Sequence, residues 1–162
     1  MRSETIRVIG IDPGFDRMGI AIIERSKEKK EKLLWSACVE SSRTLSFEDR
    51  LVVLANEFER VLQEYVPSIL SIEKIFFTKN QRTGIAVAEA RGMLRYLARK
   101  HTLSIMEYTP QEIKQSVTGY GNADKKQVAH MVSLLLTLPP ARRHDDEYDA
   151  IAAGLTALGH LR

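Results

Sequence analysis

Apolar and polar positions along the chain alternate between two periods, and each change of period marks an element. Ile6 to Ile11 is β-branched and mostly apolar, which predicts a buried strand, and it closes on Asp12. Asp12-Pro13-Gly14 is turn chemistry, because proline fixes φ and glycine tolerates positive φ. Met18 to Ile23 is a second apolar run, so the two segments predict a hairpin. Residues 24–32 carry mixed charge between apolar neighbours and predict a solvated hairpin loop. Leu33 to Glu40, with Trp35 and Cys38, completes an antiparallel meander. The period then becomes helical. Phe47, Leu51, Leu54, Phe58, Val61, Leu62 and Tyr65 share one face behind Ser46, an N-cap with an acid three residues on, and Pro67 stops the helix. Ser68 to Glu73 is a fourth strand that again closes on an acid. It follows a helical crossover and is expected to run parallel to the first.

The second half predicts a helix from about Gln81 to Lys100, a strand from Leu103 to Tyr108, and a short helix opened by Pro110. A loop at Gly119-Tyr120-Gly121-Asn122 leads to a helix from Asp124 to Leu136, with Val128, Val132, Leu135 and Leu136 on its apolar face. Pro139-Pro140 breaks the chain before a last helix that begins at Asp145 or Asp146. Gly84, Ala88 and Gly92 form a small-residue face suited to close packing against the sheet or a partner helix. The order β-β-β-α-β-α-β-α-α-α describes an α/β fold: one central mixed five-stranded sheet flanked by helices, in a single domain over residues 1–162. The first strand is central, which sets Asp12 beside Glu73.

Composition narrows the class. The 162 residues are 44% hydrophobic, enough for a real core, and carry a net charge of +3. One cysteine, Cys38, allows neither an intramolecular disulfide nor a Cys-based zinc site, and its apolar surroundings predict burial rather than reactivity. No apolar run has the length of a membrane span, and no signal-peptide core opens the chain; the expectation is a cytoplasmic protein with no membrane partner.

Two acids at strand ends meet a third group at the start of the last helix. In His144-Asp145-Asp146-Glu147-Tyr148-Asp149-Ala150, Asp146 and Asp149 are three apart and share a helix face. Acids in a first turn suit the helix dipole, which accounts for Asp145 or Asp146 but less well for Asp149. If that face meets the sheet edge, Asp12, Glu73, Asp146 and Asp149 converge, and packed like charges call for a cation. Hard oxygen donors favour Mg²⁺ or Mn²⁺, and two such ions suit phosphodiester hydrolysis. From Lys74 to His130, ten lysines and arginines face four acids, Glu89, Glu107, Glu112 and Asp124. That excess, which includes Lys79, Arg82, Lys114, Lys125 and Lys126, predicts a phosphate-binding surface on this half.

The ordered motifs Gly10-Ile11-Asp12-Pro13-Gly14, Ile72-Glu73-Lys74-Ile75-Phe76-Phe77-Thr78-Lys79-Asn80, Ala90-Arg91-Gly92, Tyr108-Thr109-Pro110-Gln111-Glu112-Ile113-Lys114-Gln115, Gly119-Tyr120-Gly121-Asn122-Ala123-Asp124-Lys125-Lys126-Gln127-Val128 and Asp146-Glu147-Tyr148-Asp149-Ala150 run across nearly the whole chain. Together they resemble the RuvC family of bacterial Holliday-junction resolvases, RNase H-like endonucleases. The resemblance implies Asp12, Glu73, Asp146 and Asp149 as catalytic metal ligands, two Mg²⁺ ions as cofactor with Mn²⁺ as a substitute, and a homodimer acting on four-way junction DNA. It implies a branch-migration helicase as a further partner and paired symmetric nicks during recombination and repair as the reaction. It also implies that Phe76 meets bases near the junction centre, and that Lys114 and Lys125 stand near the scissile phosphate. Glu147-Tyr148 departs from the small apolar residues usual before the final Asp-Ala, so the third ligand stays open between Asp145 and Asp146. The chain also ends soon after its last helix, without the longer tail of some members. Two other readings compete: an actin-like or sugar-kinase-like ATPase, whose fold opens on a similar Gly-Ile-Asp-x-Gly turn, and a non-catalytic junction-binding relative. One short domain argues against the first and four intact acids against the second.

Overall fold

The computed structural model describes residues 5–28, 30–75 and 81–161, with the side chains of Gln81 and Arg82 excepted. Phe76, Lys79 and the Arg82 side chain therefore lie outside the described residues. The elements are β1 (Ile6–Asp12), β2 (Arg17–Arg25), β3 (Glu31–Glu40), α1 (Phe47–Tyr65), β4 (Ile69–Glu73), α2 (Gln81–Lys100), β5 (Ser104–Tyr108), α3 (Pro110–Thr118), α4 (Lys125–Leu135) and α5 (Asp145–His160). They form one five-stranded sheet in the order β3-β2-β1-β4-β5, antiparallel among β1, β2 and β3 and parallel from β1 through β4 to β5. This is the mixed, helix-flanked sheet of an RNase H-like fold.

Strand alternation assigns each residue to a face. Ile9, Ile11, Leu70 and Ile72 point to α1 and α2, where Leu54, Phe58 and Leu94 cover them. Val8 and Ile69 point the other way, to Ile151, Leu155 and Leu158 of α5. Asp12 shares the parity of Val8, and Glu73 that of Ile69, so both acids are directed to the α5 face.

Helix α5 reaches the sheet because glycines let it. A Cβ on Gly10 would sit 2.1 Å from the Ala150 carbonyl oxygen, one on Gly19 would sit 1.8 Å from that of Asp146, and one on Gly154 would sit 2.6 Å from Ile23 Cδ1. Ser71 Oγ donates to the Ala153 carbonyl at 2.6 Å and ties β4 to the same helix. Among the described residues, Gly84 and Gly92 instead have no neighbour within 4 Å of a Cβ, and Ala88 is exposed. Of the two uses open to that small-residue face, packing on the sheet is excluded.

Three other expectations change. The two ends of the charged run are strand: Glu24 and Arg25 close β2, Glu31 and Lys32 open β3, and Arg7–Glu24 (2.7 Å) and Arg25–Glu31 (2.6 Å) are ion pairs between directly paired residues. Opposite charges across a ladder satisfy one another without an apolar neighbour, so hydropathy alone hides them. In α4, Val128 and Val132 are buried as expected, but Leu135 is exposed and Leu136 is buried past the helix end. The helix closes there and the next residue no longer follows its period. In α1 the buried face includes Arg50. Its guanidinium lies 3.9 Å from the Phe15 ring centroid, donates to Ser41 Oγ at 3.0 Å and pairs with Asp16. A buried cation with partners on three sides clamps the β1–β2 turn to α1.

Candidate active site

Asp12 and Glu73 lie one step beyond Ile11 and Ile72, the last paired residues of the parallel β1–β4 ladder, and therefore end adjacent strands. Gly19, opposite Asp12 across β1–β2, admits the first turn of α5 against the sheet. That turn carries Asp146, and the next turn Asp149, to the same place. The convergence appears in the electrostatics: burial, then Asp149, Glu73 and Asp146, push the Asp12 carboxyl up to about 8. Burial and Asp149 raise Glu73; burial raises Asp149, which Asp146 and Asp145 raise further. Lys125 opposes the rise at Asp12, Glu73 and Asp149, and Lys114 at Glu73 and Asp149. The two lysines thus set positive charge beside Glu73 and Asp149. Lys125 Nζ stands 3.7 Å from Asp145 and 3.8 Å from Asp149.

Asp145 and Asp146 separate clearly. Asp145 is 70% exposed and faces Lys125, whereas the Asp146 side chain is 19% exposed and lies 3.4 Å from Arg17 Nε. Cys38 Sγ donates to Asp146 at 3.7 Å, and burial pushes that thiol up to about 11, so it is not a thiolate at neutral pH. Glu147 is buried. Its carboxylate accepts from Ser36 Oγ at 3.0 Å and from the His144 N–H at 3.1 Å, which fixes the first turn of α5 to β3. That anchoring accounts for a carboxylate where the resemblance leads one to expect a small apolar residue.

Arg91, one of the ten basic residues between Lys74 and His130, does not belong to the expected phosphate-binding surface. It is largely buried, pairs with Glu107 at 2.6 Å and donates to the Glu73 carbonyl at 3.1 Å, so it secures the end of β4 from within. Arg95 shares Glu107, and Lys100 faces Glu59 at 3.5 Å. The basic excess on this half is smaller at the surface than in the sequence. Lys114, Lys125 and Lys126 remain on the helices beside the acids, and Lys126 is exposed.

The model of the family described as crossover junction endodeoxyribonuclease RuvC matches residues 8–157. This chain belongs to the RuvC family. The RuvC of Thermosipho melanesiensis is 41% identical over 147 residues, spanning 91% of this chain and 93% of that protein. The RuvC of Caldicellulosiruptor saccharolyticus is 41% identical over 150 residues, 93% of this chain and 90% of that one. A solved structure of T. thermophilus RuvC in complex with a Holliday junction substrate superposes with a TM-score of 0.90 at 29% identity, covering 97% of this chain and 95% of that one. Family membership makes this a metal-dependent endonuclease that resolves Holliday junctions, and it removes the ATPase and non-catalytic readings. Its placement over residues 8–157 includes every sequence motif that carried the resemblance.

The donor chemistry suits the cation that a RuvC nuclease requires. Asp12, Glu73, Asp146 and Asp149 offer only hard oxygens, and burial and the neighbouring acids push the Asp12 carboxyl up to about 8, a rise that a bound cation would offset. Among the described residues no three His, Cys, Asp or Glu side chains are grouped as tightly as a metal ion would hold them. Among the described residues, too, no helix is long and apolar enough to cross a membrane.

Proposed function

We propose that Asp12, Glu73, Asp146 and Asp149 hold two Mg²⁺ ions, or Mn²⁺ in their place, and that this site cuts two strands of a four-way junction symmetrically. The observation that carries this reading is the set of three acids acting on the buried Asp12 carboxyl. Bound divalent ions would supply an activated water and stabilise the leaving oxygen. The chain's own residues do the rest. Glu147, held by Ser36, and the glycine contacts at Gly10 and Gly19 fix where α5 presents its acids. Lys114 and Lys125 limit repulsion within the cluster and stand where a phosphate can be drawn toward it. The low exposure of Asp146, and its effect on Asp12, favour it over Asp145 as the third ligand. Calorimetry of Mg²⁺ binding tests the site without DNA: binding to wild type and to Asp145→Asn, with none to Asp12→Asn or Asp146→Asn, is expected. Equal binding by all four proteins would sink it.

The chain acts, in this reading, as a single nuclease domain in the cytoplasm and as a two-fold homodimer. Two nicks placed symmetrically about a junction need two sites, and closed two-fold symmetry is the commonest way to pair them. The exposed face of α2 supports a partner helix there: Gly84, Ala88 and Gly92 are free of the sheet, and Ile85 (59%) and Tyr96 (67%) are exposed on the same helix. Light scattering at micromolar concentration should return twice the chain mass of 18.4 kDa, alone and with junction DNA. A monomer in both conditions that still cuts both strands together would contradict it. A branch-migration helicase is the further partner that family membership suggests.

Phe76, Lys79, Arg82 and Lys126 complete the proposed DNA contacts, on sequence grounds for the first three. Phe76→Ala should melt like wild type yet resolve junctions roughly 5- to 150-fold less well, since a base stacked on an aromatic ring is worth about 1–3 kcal/mol. A large drop in melting temperature would make Phe76 a core residue instead.

A further inference from the structure

Among the described residues, the proposed DNA contacts Lys114, Lys125 and Lys126 lie on α3 and α4. A strand held at its cut phosphate must continue past the acids. Next to Asp146, a cleft of about 470 Å³ is lined by Arg17, Arg142, Arg143, His144, Asp145 and Asp146. Arg17 comes from the start of β2, and the other residues come from the segment after Pro139-Pro140 and from the first turn of α5.

The charges in this cleft do not cancel one another. Asp145 faces Lys125 at 3.7 Å, and Asp146 faces Arg17 at 3.4 Å. Among the described residues, neither Arg142 nor Arg143 pairs with a carboxylate. Arg142 is exposed, and Arg143 donates at 3.3 Å to the Pro139 carbonyl, which leaves most of its guanidinium donors open. Guanidinium offers several N–H donors in a planar fork that matches phosphate oxygens. A second cleft of about 470 Å³, lined by Phe15, Thr83, Ala86 and Val87, also contains Arg17 and Asp146. Asp146 and Arg17 thus border both clefts.

We propose that Arg142 and Arg143, with Arg17, bind backbone phosphates of the cleaved strand next to the scissile phosphate, in addition to the contacts of Lys114 and Lys125. This rests on the proposed carboxylate site and extends its DNA path. The contact is to the phosphodiester backbone and adds affinity and alignment without base specificity. Arg17 also restrains Asp146, so its loss would mix two effects. The test therefore uses Arg142 and Arg143, which touch none of the proposed ligands within the described residues.

Junction affinity is measured by fluorescence anisotropy in EDTA, where no cutting occurs, across a series of salt concentrations. Each phosphate contact contributes about 0.9 to the slope of log affinity against log salt. Arg142→Gln/Arg143→Gln should flatten the slope by about 1–2 and weaken binding near 0.1 M salt about 10-fold, with an unchanged melting temperature. Arg142→Lys/Arg143→Lys should keep most of the slope. Neutral methylphosphonates placed one at a time within three nucleotides of the cut should weaken wild type at one or two positions on one side. The double Gln variant should be insensitive at those positions. Lys125→Ala serves as the control: it should flatten the slope while keeping that methylphosphonate sensitivity. A flattened slope for Lys125→Ala with no change for Arg142→Gln/Arg143→Gln would overturn the inference and leave the proposed site standing. Failure of wild type to bind the junction would overturn both.

Discussion

Asp12→Asn abolishes junction cleavage, by three orders of magnitude or more on the scale of roughly 10²–10³ for losing even one transition-state hydrogen bond, and leaves junction affinity within about twofold. The substitution removes a buried ligand and no phosphate contact. Glu73→Gln, Asp146→Asn and Asp149→Asn follow it, and Asp145→Asn does not. The same variant has a stability signature. The folded Asp12 carboxyl titrates at about 8 against an ordinary 3.8. Between those values the folded protein holds a proton that the unfolded chain has lost, so the metal-free protein loses stability as pH rises from about 4 to 8. At about 1.4 kcal/mol per unit the loss reaches several kcal/mol at most. Asp12→Asn lacks this slope, melts higher than wild type at pH 8 in EDTA, and gains less from added Mg²⁺. Parallel melting profiles of the two proteins across this pH range would show that Asp12 is not the strained group.

Gly10→Ala is the second large effect, and it acts on the fold. The new Cβ would meet the Ala150 carbonyl at 2.1 Å, the Gly154 nitrogen at 2.8 Å and the Gly154 Cα at 3.1 Å, all backbone. No rotamer change relieves such contacts. Helix α5 must move off the sheet, taking its apolar face of Ala150, Ile151, Ala153 and Leu158 with it. A loss of about 3–5 kcal/mol is expected, the range of severe core disruption, and cleavage falls because Asp146 and Asp149 move with the helix. Chemical denaturation checks this, with Gly159→Ala as a control expected to be neutral or slightly stabilising, since its Cβ would meet only Ser116 Oγ at 3.7 Å.

Much of this was legible in the chain. Alternation and helical spacing marked every element, and the crossover rule set Asp12 beside Glu73. Strand parity also assigns Asp12, Glu73, Gly19 and Ser71 to one face, from the neighbours Val8, Ile69 and Ala21. Glycines inside β1 and β2 signal close approach more reliably than the helical spacing of Gly84, Ala88 and Gly92. A helical small-residue pattern cannot say which surface it faces, whereas a glycine in a central strand has a neighbour on each side. The charged run around residues 26–30 and the buried Arg50 were hidden for a shared reason. Both rest on partners distant in sequence, Glu24 with Arg7 and Arg50 with Asp16, and local hydropathy carries no record of them. The same blindness inflated the basic surface, because Arg91 and Arg95 are spent on Glu107. Glu147, which looked like an irregularity beside the third ligand, is a buried anchor whose partner Ser36 lies more than a hundred residues away.

The central claim is a Mg²⁺-dependent, four-carboxylate site that cuts a junction in pairs. A supercoiled plasmid extruding a cruciform tests it most directly, since paired nicks in one encounter give linear DNA and single nicks give open circles. The account predicts linear product with Mg²⁺, none in EDTA, and none from Asp12→Asn at equal junction binding. Cutting that survives chelation, or that proceeds undiminished in Asp12→Asn, would contradict it.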